Sequence, residues 1–255
     1  MEALSLKIMS AIYILWLRQL KRYFRSRSRL IGSVAQPLLF LLALGFGFGP
    51  IYAKAGGGNY IEFLGPGIIA MAILFTALFS GIEIIWDRQF GFLKETLVAP
   101  VSRLNIMAGR TLGGATVACF QGIIVLLAAM AVGFHVSGGL FALGFVFMIL
   151  IALLFTAVGT TIASILEDMQ GFQLIMNFLV MPTFFLSGAI FPFEGLPKTL
   201  VLISSLNPLA YGVDGLRLSF SGVSHFGLIP DLLVLSVITA LFLGIGSYLF
   251  SKIQI

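Results

Sequence analysis

The side chains able to carry catalytic or metal chemistry are few and lie far apart in this sequence. Its 255 residues include ten Asp and Glu, two histidines at His135 and His225, and one cysteine, Cys119. A single cysteine cannot form a disulfide within the chain, and with two distant histidines it cannot build a Cys/His metal cluster. The motifs of zinc proteases, serine hydrolases and nucleotide-binding P-loops are also absent. We therefore expect no catalytic residue, no metal site and no cofactor bound by this chain.

The densest group of charges lies in the stretch WDRQFGFLKETLVAPVSR, residues Trp86 to Arg103. Charged residues make up only 10% of the sequence, yet five fall within these eighteen: Asp87, Arg88, Lys94, Glu95 and Arg103. The chemistry that such a group offers is non-covalent recognition through ion pairs and hydrogen bonds.

An apolar stripe runs through the same stretch. Phe90, Leu93 and Leu97 recur at i, i+3 and i+7, which is the spacing of one helix face. Pro100 ends such a helix, and Ser102 is a suitable N-cap for the next one. A short amphipathic helix of this kind fits a groove on a partner protein. A solvated loop whose long side chains extend into water fits the spacing equally well.

The composition places these charges in a membrane protein. The chain is 59% hydrophobic with a mean hydropathy of +1.09, whereas soluble domains are about 45–50% apolar. A helix needs about 20 mostly apolar residues to cross the hydrocarbon. We therefore predict an all-α integral membrane protein with six transmembrane helices, over residues 30–53, 63–85, 105–134, 140–166, 169–193 and 231–251.

The basic residues predict the orientation of these spans. With six crossings, twelve of the fifteen Lys and Arg fall on one side of the membrane, and only Lys54, Lys198 and Arg217 fall on the other. This bias puts both termini and the 83–110 loop in the cytoplasm of a multi-pass cell-membrane protein. An odd number of spans would separate only Lys252 from the N-terminal basic cluster, so that alternative stays open.

Residues 1–29 have a helical charge pattern of their own. One narrow face carries Lys7, Arg18, Arg22, Arg25 and Arg29, and Trp16 and other apolar residues lie opposite. This pattern predicts an interfacial amphipathic helix that lies in the headgroup plane, with its basic face toward anionic membrane lipids. A plain positively charged cytosolic tail is the alternative.

The positions of the Asp and Glu residues indicate that the energy for any transport comes from outside the chain. Ion-driven carriers usually hold acids in mid-membrane, whereas here they lie at span ends and in loops. An energy-independent channel or a membrane scaffold is the alternative. We expect no nucleic-acid partner.

Two segments of the sequence resemble the permeases of ABC-2-type exporters. FGFLKETLVAPVSR, residues 90–103, looks like the element that follows the second span in that family. FFLSGAIFPFEGLPKTLVLISSLNPLAYGVDGLR, residues 184–217, resembles its outer segment before the last span. The likeness is greatest to the branch of daunorubicin-type drug exporters and nodulation-factor exporters. It implies a coupling helix over residues 87–100 and extracellular re-entrant helices over residues 194–230.

The resemblance also implies partners and a function. It predicts two copies of a cytosolic ABC ATPase subunit that bind ATP and Mg, and a second permease copy, with a homodimer favoured. The cargo would be an amphipathic drug, a lipid or a lipid-linked glycan moved out of the cytoplasm. A polysaccharide exporter of the O-antigen type is the alternative.

The same resemblance assigns residues to three sites. Coupling to the ATPase falls on Asp87, Arg88, Phe90, Phe92, Leu93, Lys94, Glu95 and Leu97, with Phe90 and Leu93 as apolar anchors. The candidate substrate path holds Gln36, Phe40, Thr76, Gln173 and Asn177. The candidate extracellular gate holds Pro192, Pro197, Asn207, Pro208, Asp214 and Arg217.

Two local expectations accompany these assignments. Asp214 and Arg217 are three residues apart, so they can pair on one helix face. Gly91 sits in the middle of the predicted coupling helix, where it costs about 1 kcal/mol relative to alanine. We therefore expect that helix to form fully only when it is docked.

Overall fold

The computed structural model describes residues 2–56, 58–98, 101–137 and 139–252, and every regular element within them is an α-helix. The all-α class is thus confirmed. In chain order the helices are α1 (Glu2–Arg25), α2 (Arg27–Lys54), α3 (Tyr60–Phe79), α4 (Ile82–Gln89), α5 (Phe92–Val98), α6 (Arg103–Val132), α7 (Phe141–Ile165), α8 (Met169–Phe185), α9 (Lys198–Ser205), α10 (Pro208–Ser221) and α11 (Leu228–Ser251).

Five helical stretches of the described chain are long and apolar enough to cross a membrane: Ile31–Lys54, Tyr60–Gln89, Arg103–Val132, Phe141–Ile165 and Leu228–Ser251. The remaining predicted span, 169–193, is helical only as far as Phe185, so α8 has 17 residues. At about 1.5 Å per residue it is about 26 Å long, slightly less than the hydrocarbon core. Beyond it, Gly188 and Gly195 adopt positive φ angles of 72° and 86°, which interrupt a helix.

Helix α3 forms the centre of the bundle. It is apolar around its whole circumference, so most of its residues are buried, among them Ile68, Met71 and Leu74. It packs against α2, α6, α7, α8 and α10.

Glycines bring two pairs of backbones into contact. At the junction of α3 and α4 a Cβ on Gly159 of α7 would collide with the carbonyl oxygen of Leu78. Where α1 packs on α6, a Cβ on Gly113 would lie 2.7 Å from the Cβ of Gln19. Small residues at such crossings let membrane helices approach closely. The elements that surround residues 83–110 are therefore tightly packed.

The first predicted segment, 1–29, is divided by the structure. Helix α1 ends at Arg25, Ser26 interrupts the helical run, and α2 begins at Arg27. Trp16 donates a hydrogen bond from its ring nitrogen to Thr116 of α6 at 3.0 Å, so α1 is packed along the bundle. The side chains of Lys7 and Arg29 lie outside the described part of the chain.

Residues 194–230 contain two complete helices, α9 and α10, in different settings, and the first three residues of α11. In α10, Gly212 and Gly215 face Ile151 and Phe147 of α7, so α10 is packed inside the bundle. In α9 only Ser204 is buried among the described residues. Helix α9 therefore lies on the surface of the bundle, whereas α10 is enclosed by it.

Candidate functional site

The predicted coupling helix is a corner formed by two helices, which we call the elbow (residues 82–98). Helix α4 ends at Gln89 and α5 begins at Phe92, so the expectation of one helix over residues 87–100 is wrong. Gly91, with a φ of 79°, occupies the left-handed region that favours glycine. It is therefore the corner itself and not a weak point within a helix. Ala99 and Pro100 lie outside the described residues.

Asp87 is the centre of a buried ionic cluster that joins three helices. Only 1% of Asp87 is exposed, and its Oδ2 accepts a hydrogen bond from Nη2 of Arg110 at 2.7 Å. Its Oδ1 accepts from Nη2 of Arg18. Nη1 of Arg22 lies 3.3 Å from Oε2 of Glu83, and its Nη2 lies 3.8 Å from Oδ1 of Asp87. These five residues, the Asp87 cluster, tie α4 to α1 and to α6.

The members of the Asp87 cluster differ in their access to water. The side chains of Arg18 and Arg22 are 37% exposed, whereas that of Arg110 is 3% exposed. Removing one member of a buried ion pair leaves the other without compensation, which is strongly destabilising. Arg110 thus depends on Asp87 more than the other two arginines do.

Two predicted roles change as a result. Asp87 was expected to contact a partner protein, but it is enclosed within this chain. Arg18 and Arg22 were expected to face anionic lipid, but they face the acids of α4. The ordinary preference of a buried carboxylate for paired cations explains both corrections.

Arg88 connects the elbow to a fourth helix. Its Nη1 donates to the carbonyl of Leu166 at 3.0 Å, and its Nη2 donates to that of Ser164 at 3.1 Å. These carbonyls lie at the C-terminal end of α7, where the backbone has unsatisfied acceptors and a partial negative charge. Arg88 therefore caps α7. The prediction that it contacts a partner protein is wrong.

The apolar surface of the elbow is formed by residues other than the predicted pair. Leu93 is only 2% exposed and packs in the core, whereas Phe90 is 63% and Phe92 is 50% exposed. The ring of Trp86, itself 43% exposed, lies 5.8 Å from that of Phe90. The corner at Gly91 changes the helical phase, so Leu93 points inward and Phe92 outward. Phe90 is thus available as an anchor, and Leu93 is not.

The other predicted coupling residues are Lys94, Glu95 and Leu97, all on α5. Lys94 and Glu95 are exposed on α5. Leu97 belongs to α5, but its side chain lies outside the described part of the chain.

The predicted path residues do not share one environment. Thr76 is buried in α3, and Phe40 of α2 packs partly against the core. Gln36, Gln173 and Asn177 are exposed. Helix α8 packs through one narrow stripe of Phe172, Met176, Val180 and Phe184, and this leaves Gln173 and Asn177, one turn apart, on its uncovered surface.

The predicted gate residues lie at the end of the bundle opposite the elbow. Asn207 caps α10 through a bond from Leu209 N at 3.0 Å, and its Nδ2 donates to the carbonyl of Thr183 at 2.6 Å. Pro208 is the first residue of α10, and Pro197 precedes α9. These residues fix where the two helices begin.

Asp214 and Arg217 bind different partners, so the expected pair between them is wrong. Asp214 accepts hydrogen bonds from Ser224 Oγ and from the backbone N–H groups of His225 and Phe226, each at 2.8 Å. Arg217 donates from Nη2 to the carbonyl of Gly188 at 2.9 Å. Burial lowers the pKa of the Arg217 guanidinium from its ordinary value, and the nearby carboxylates oppose that shift. Arg217, Asp214 and Pro192 line a cavity of about 400 Å³, which we call the vestibule.

Sequence reasoning missed Arg18, Arg22, Glu83 and Arg110 as one group. A signal was present, because Arg18 and Arg22 are four residues apart and so are Glu83 and Asp87. Residues four apart share one face of their helix, so two helices with such pairs of opposite charge can attract each other face to face. Trp86 was also missed as part of the exposed aromatic group, although it lies four residues before Phe90 on the same helical spacing.

Comparison with known proteins adds the family context. Residues 10–221 match the family described as ABC-2 type transporter. The chain is 32% identical to the putative transport permease ycf38 of Porphyra purpurea, over 85% of this chain and 76% of that protein. It is 28% identical to nodulation protein J of Rhizobium leguminosarum bv. viciae, over 76% and 75%. It is 27% identical to the inner membrane transport permease YadH of Escherichia coli (strain K12), over 91% of each.

Replacing the central carboxylate tests the Asp87 cluster. We expect Asp87→Asn to lower the free energy of unfolding by about 3–5 kcal/mol, because Arg110 is left buried and unpaired. Glu95→Gln, at an exposed position, is the matched control and should change it by less than about 0.5 kcal/mol. Unfolding of the purified protein in mixed micelles measures both.

A paired replacement separates lost charge compensation from lost packing. Asp87→Leu combined with Arg110→Met removes both buried charges, so it should recover at least half of the stability lost in Asp87→Asn. Equal stability of Asp87→Asn and Glu95→Gln would contradict the assigned role of the cluster.

Proposed function

Because this chain belongs to the ABC-2 type transporter family, we propose that it is the permease subunit of an ATP-driven exporter. In this proposal it moves an amphipathic drug, lipid or lipid-linked glycan out of the cytoplasm, and a separate ATPase subunit binds ATP and Mg. The relatives named as transport permeases support the transport role. The observation that carries the proposal is the exposed aromatic surface of the elbow, held by a buried ionic cluster.

Phe90, Phe92 and Trp86 form the docking surface for the ATPase. Large exposed aromatic rings on a short projecting corner suit a groove on a partner, where desolvated aromatics dominate binding. Lys94 and Glu95 border them as exposed charges and supply polar contacts at the rim. Arg88 and Asp87 act within this chain, because their contacts hold the elbow in place.

The contacts behind the elbow transmit its movement to the bundle. Asp87 links α4 to α1 and α6, and Arg88 links it to the end of α7. A displacement of the elbow by the ATPase therefore acts on α1, α6 and α7 together, as one body. Such rigid-body rotation is how domain closure is usually converted into a change of access.

The elbow end of the bundle is the cytoplasmic end in this proposal. Twelve of the fifteen Lys and Arg belong to that end when α8 completes a sixth crossing. Both termini then lie in the cytoplasm, and the vestibule opens on the outer side of the cell membrane.

A second copy of the chain covers α8. Gln173 and Asn177 are exposed on this apolar helix, and Phe178 beside them is 82% exposed. Amide groups that face hydrocarbon are costly, so they are expected to meet another protein or water. A homodimer that meets along α8 provides both, because amides near a two-fold axis can bond each other or line a path for cargo.

Charged substitutions on the elbow test the coupling. We expect Phe90→Asp combined with Phe92→Asp to weaken ATPase binding at least about a hundredfold, because two aromatic anchors are lost. Capture of a P-loop ATPase by the tagged chain, and the ATP hydrolysis of the complex, measure the effect. Phe191→Asp, at an exposed phenylalanine of the opposite end, is the matched control. ATP-driven transport by the double variant would rule out the docking surface.

Cross-linking tests the covering of α8. In a Cys119→Ser background, we expect Asn177→Cys to form disulfide-linked dimers on mild oxidation, because symmetric positions near a two-fold axis come close together. Val237→Cys, on an α11 residue that is 60% exposed, is the control and should stay monomeric. Dimers from the Val237 variant alone would place the interface on α11.

A further inference from the structure

Two buried hydrogen-bond donors on the same cavity have no partner in the part of the chain that the structure describes. Arg217 is 8% exposed, and its Nε finds no hydrogen-bond partner among the described residues; the same holds for Oγ of Ser221. The two residues are four apart on α10, so they share one face of that helix. Both line the vestibule. Buried donors are seldom left unpaired in folded proteins, so an acceptor carried by a ligand in the cavity would satisfy both.

The guanidinium of Arg217 is held in place for such a role. Its Nη2 donates to the carbonyl of Gly188 at 2.9 Å, and its Cζ lies 4.2 Å from the ring centre of Phe63. A guanidinium has five N–H donors in a fixed planar arrangement, and these two contacts leave Nε unused. Arg217 thus provides a fixed positive charge on the wall of the vestibule.

The vestibule also has negative charge that is open to solvent. Glu62 and Glu194 line it and are exposed. Nδ1 of His135 lies 3.7 Å from Oε1 of Glu62. Asp214 also lines the cavity, but its carboxylate accepts hydrogen bonds from Ser224, His225 and Phe226. The two exposed glutamates are therefore the acids available to a ligand.

This arrangement selects against simple ions. A plain anion attracted by Arg217 is repelled by Glu62 and Glu194, and a plain cation attracted by the glutamates is repelled by Arg217. A ligand that carries both charges satisfies both groups. The volume of about 400 Å³ falls within the range of about 300–1,000 Å³ of small-ligand sites.

We propose that the vestibule binds a zwitterion, with an anionic oxygen group on Arg217 and Ser221 and an ammonium group against Glu62 and Glu194. A phosphoethanolamine group has this chemistry, and it reaches the site either as a lipid headgroup or as a free solute. The site needs neither ATP nor a partner subunit, so its test is independent of the export function.

Calorimetric titration of the purified full-length protein in detergent tests the charge preference. We expect glycerophosphoethanolamine to bind at least about tenfold more tightly than glycerophosphoglycerol, inorganic phosphate or ethanolamine, because only the first satisfies both charges. The proposal would be overturned if glycerophosphoglycerol bound equally tightly. It would also be overturned if glycerophosphoethanolamine did not bind and the vesicle test below found no retained lipid.

Variants assign the two halves of the site. Glu62→Gln combined with Glu194→Gln changes exposed residues only, so it should leave the fold intact and remove the preference for glycerophosphoethanolamine over glycerophosphoglycerol. Arg217→Met should weaken binding of both at least about tenfold. Lys198→Met, at an exposed lysine outside the vestibule, is the control and should change neither. An unchanged preference in the double Gln variant would overturn the role of the glutamates.

Lipid retained by protein extracted from vesicles distinguishes a lipid headgroup from a free solute as the ligand. After reconstitution into equal mixtures of phosphatidylethanolamine and phosphatidylglycerol, native mass spectrometry counts the retained lipids. Selective retention of phosphatidylethanolamine that is lost in Arg217→Met identifies a lipid headgroup as the ligand. Binding of glycerophosphoethanolamine without retained lipid identifies a free solute.

Discussion

The structure depends on one buried ion pair between Asp87 and Arg110. Charges of this kind are costly to remove from water, and they are tolerated only when their partners are fixed. Here the partners come from α1, α4 and α6, so these helices cannot separate without exposing an unpaired charge. The pair therefore makes the base of the elbow a rigid joint. An aromatic surface carried on a rigid joint can transmit force, whereas one carried on a mobile loop cannot.

The packing around this joint extends the same constraint through the bundle. Backbone contact at Gly159 locks α7 to the junction of α3 and α4, and the close approach at Gly113 locks α1 to α6. Arg88 adds a hydrogen-bonded link to the end of α7. Helix α8 differs, because it is held through a single stripe. The chain thus combines a rigid body with a helix that is covered along one narrow side, and that helix is where we place the second copy.

Hydrophobic runs predicted the helical class and the charged segment between the second and third spans, because a membrane crossing needs a long apolar stretch. The N-cap at Ser102 was also predicted, and its side chain accepts from the backbone of Asn105. The contacts between helices were not predictable from the sequence. Asp87 could pair with a partner protein or with Arg110, and only the packing of α1 on α6 decides between them. Likewise the helical spacing assigned Leu93 to the surface, because the left-handed turn at Gly91 was not recognised.

Site-specific photo-cross-linking tests the central claim, that the exposed elbow carries the ATPase. A photoreactive phenylalanine analogue placed at Phe90 should cross-link to the ATP-binding subunit in native membranes, and the same analogue at Phe191 should not. Both positions are exposed in this chain, so exposure alone cannot produce the difference. Cross-linking from position 191 but not from position 90 would contradict the account.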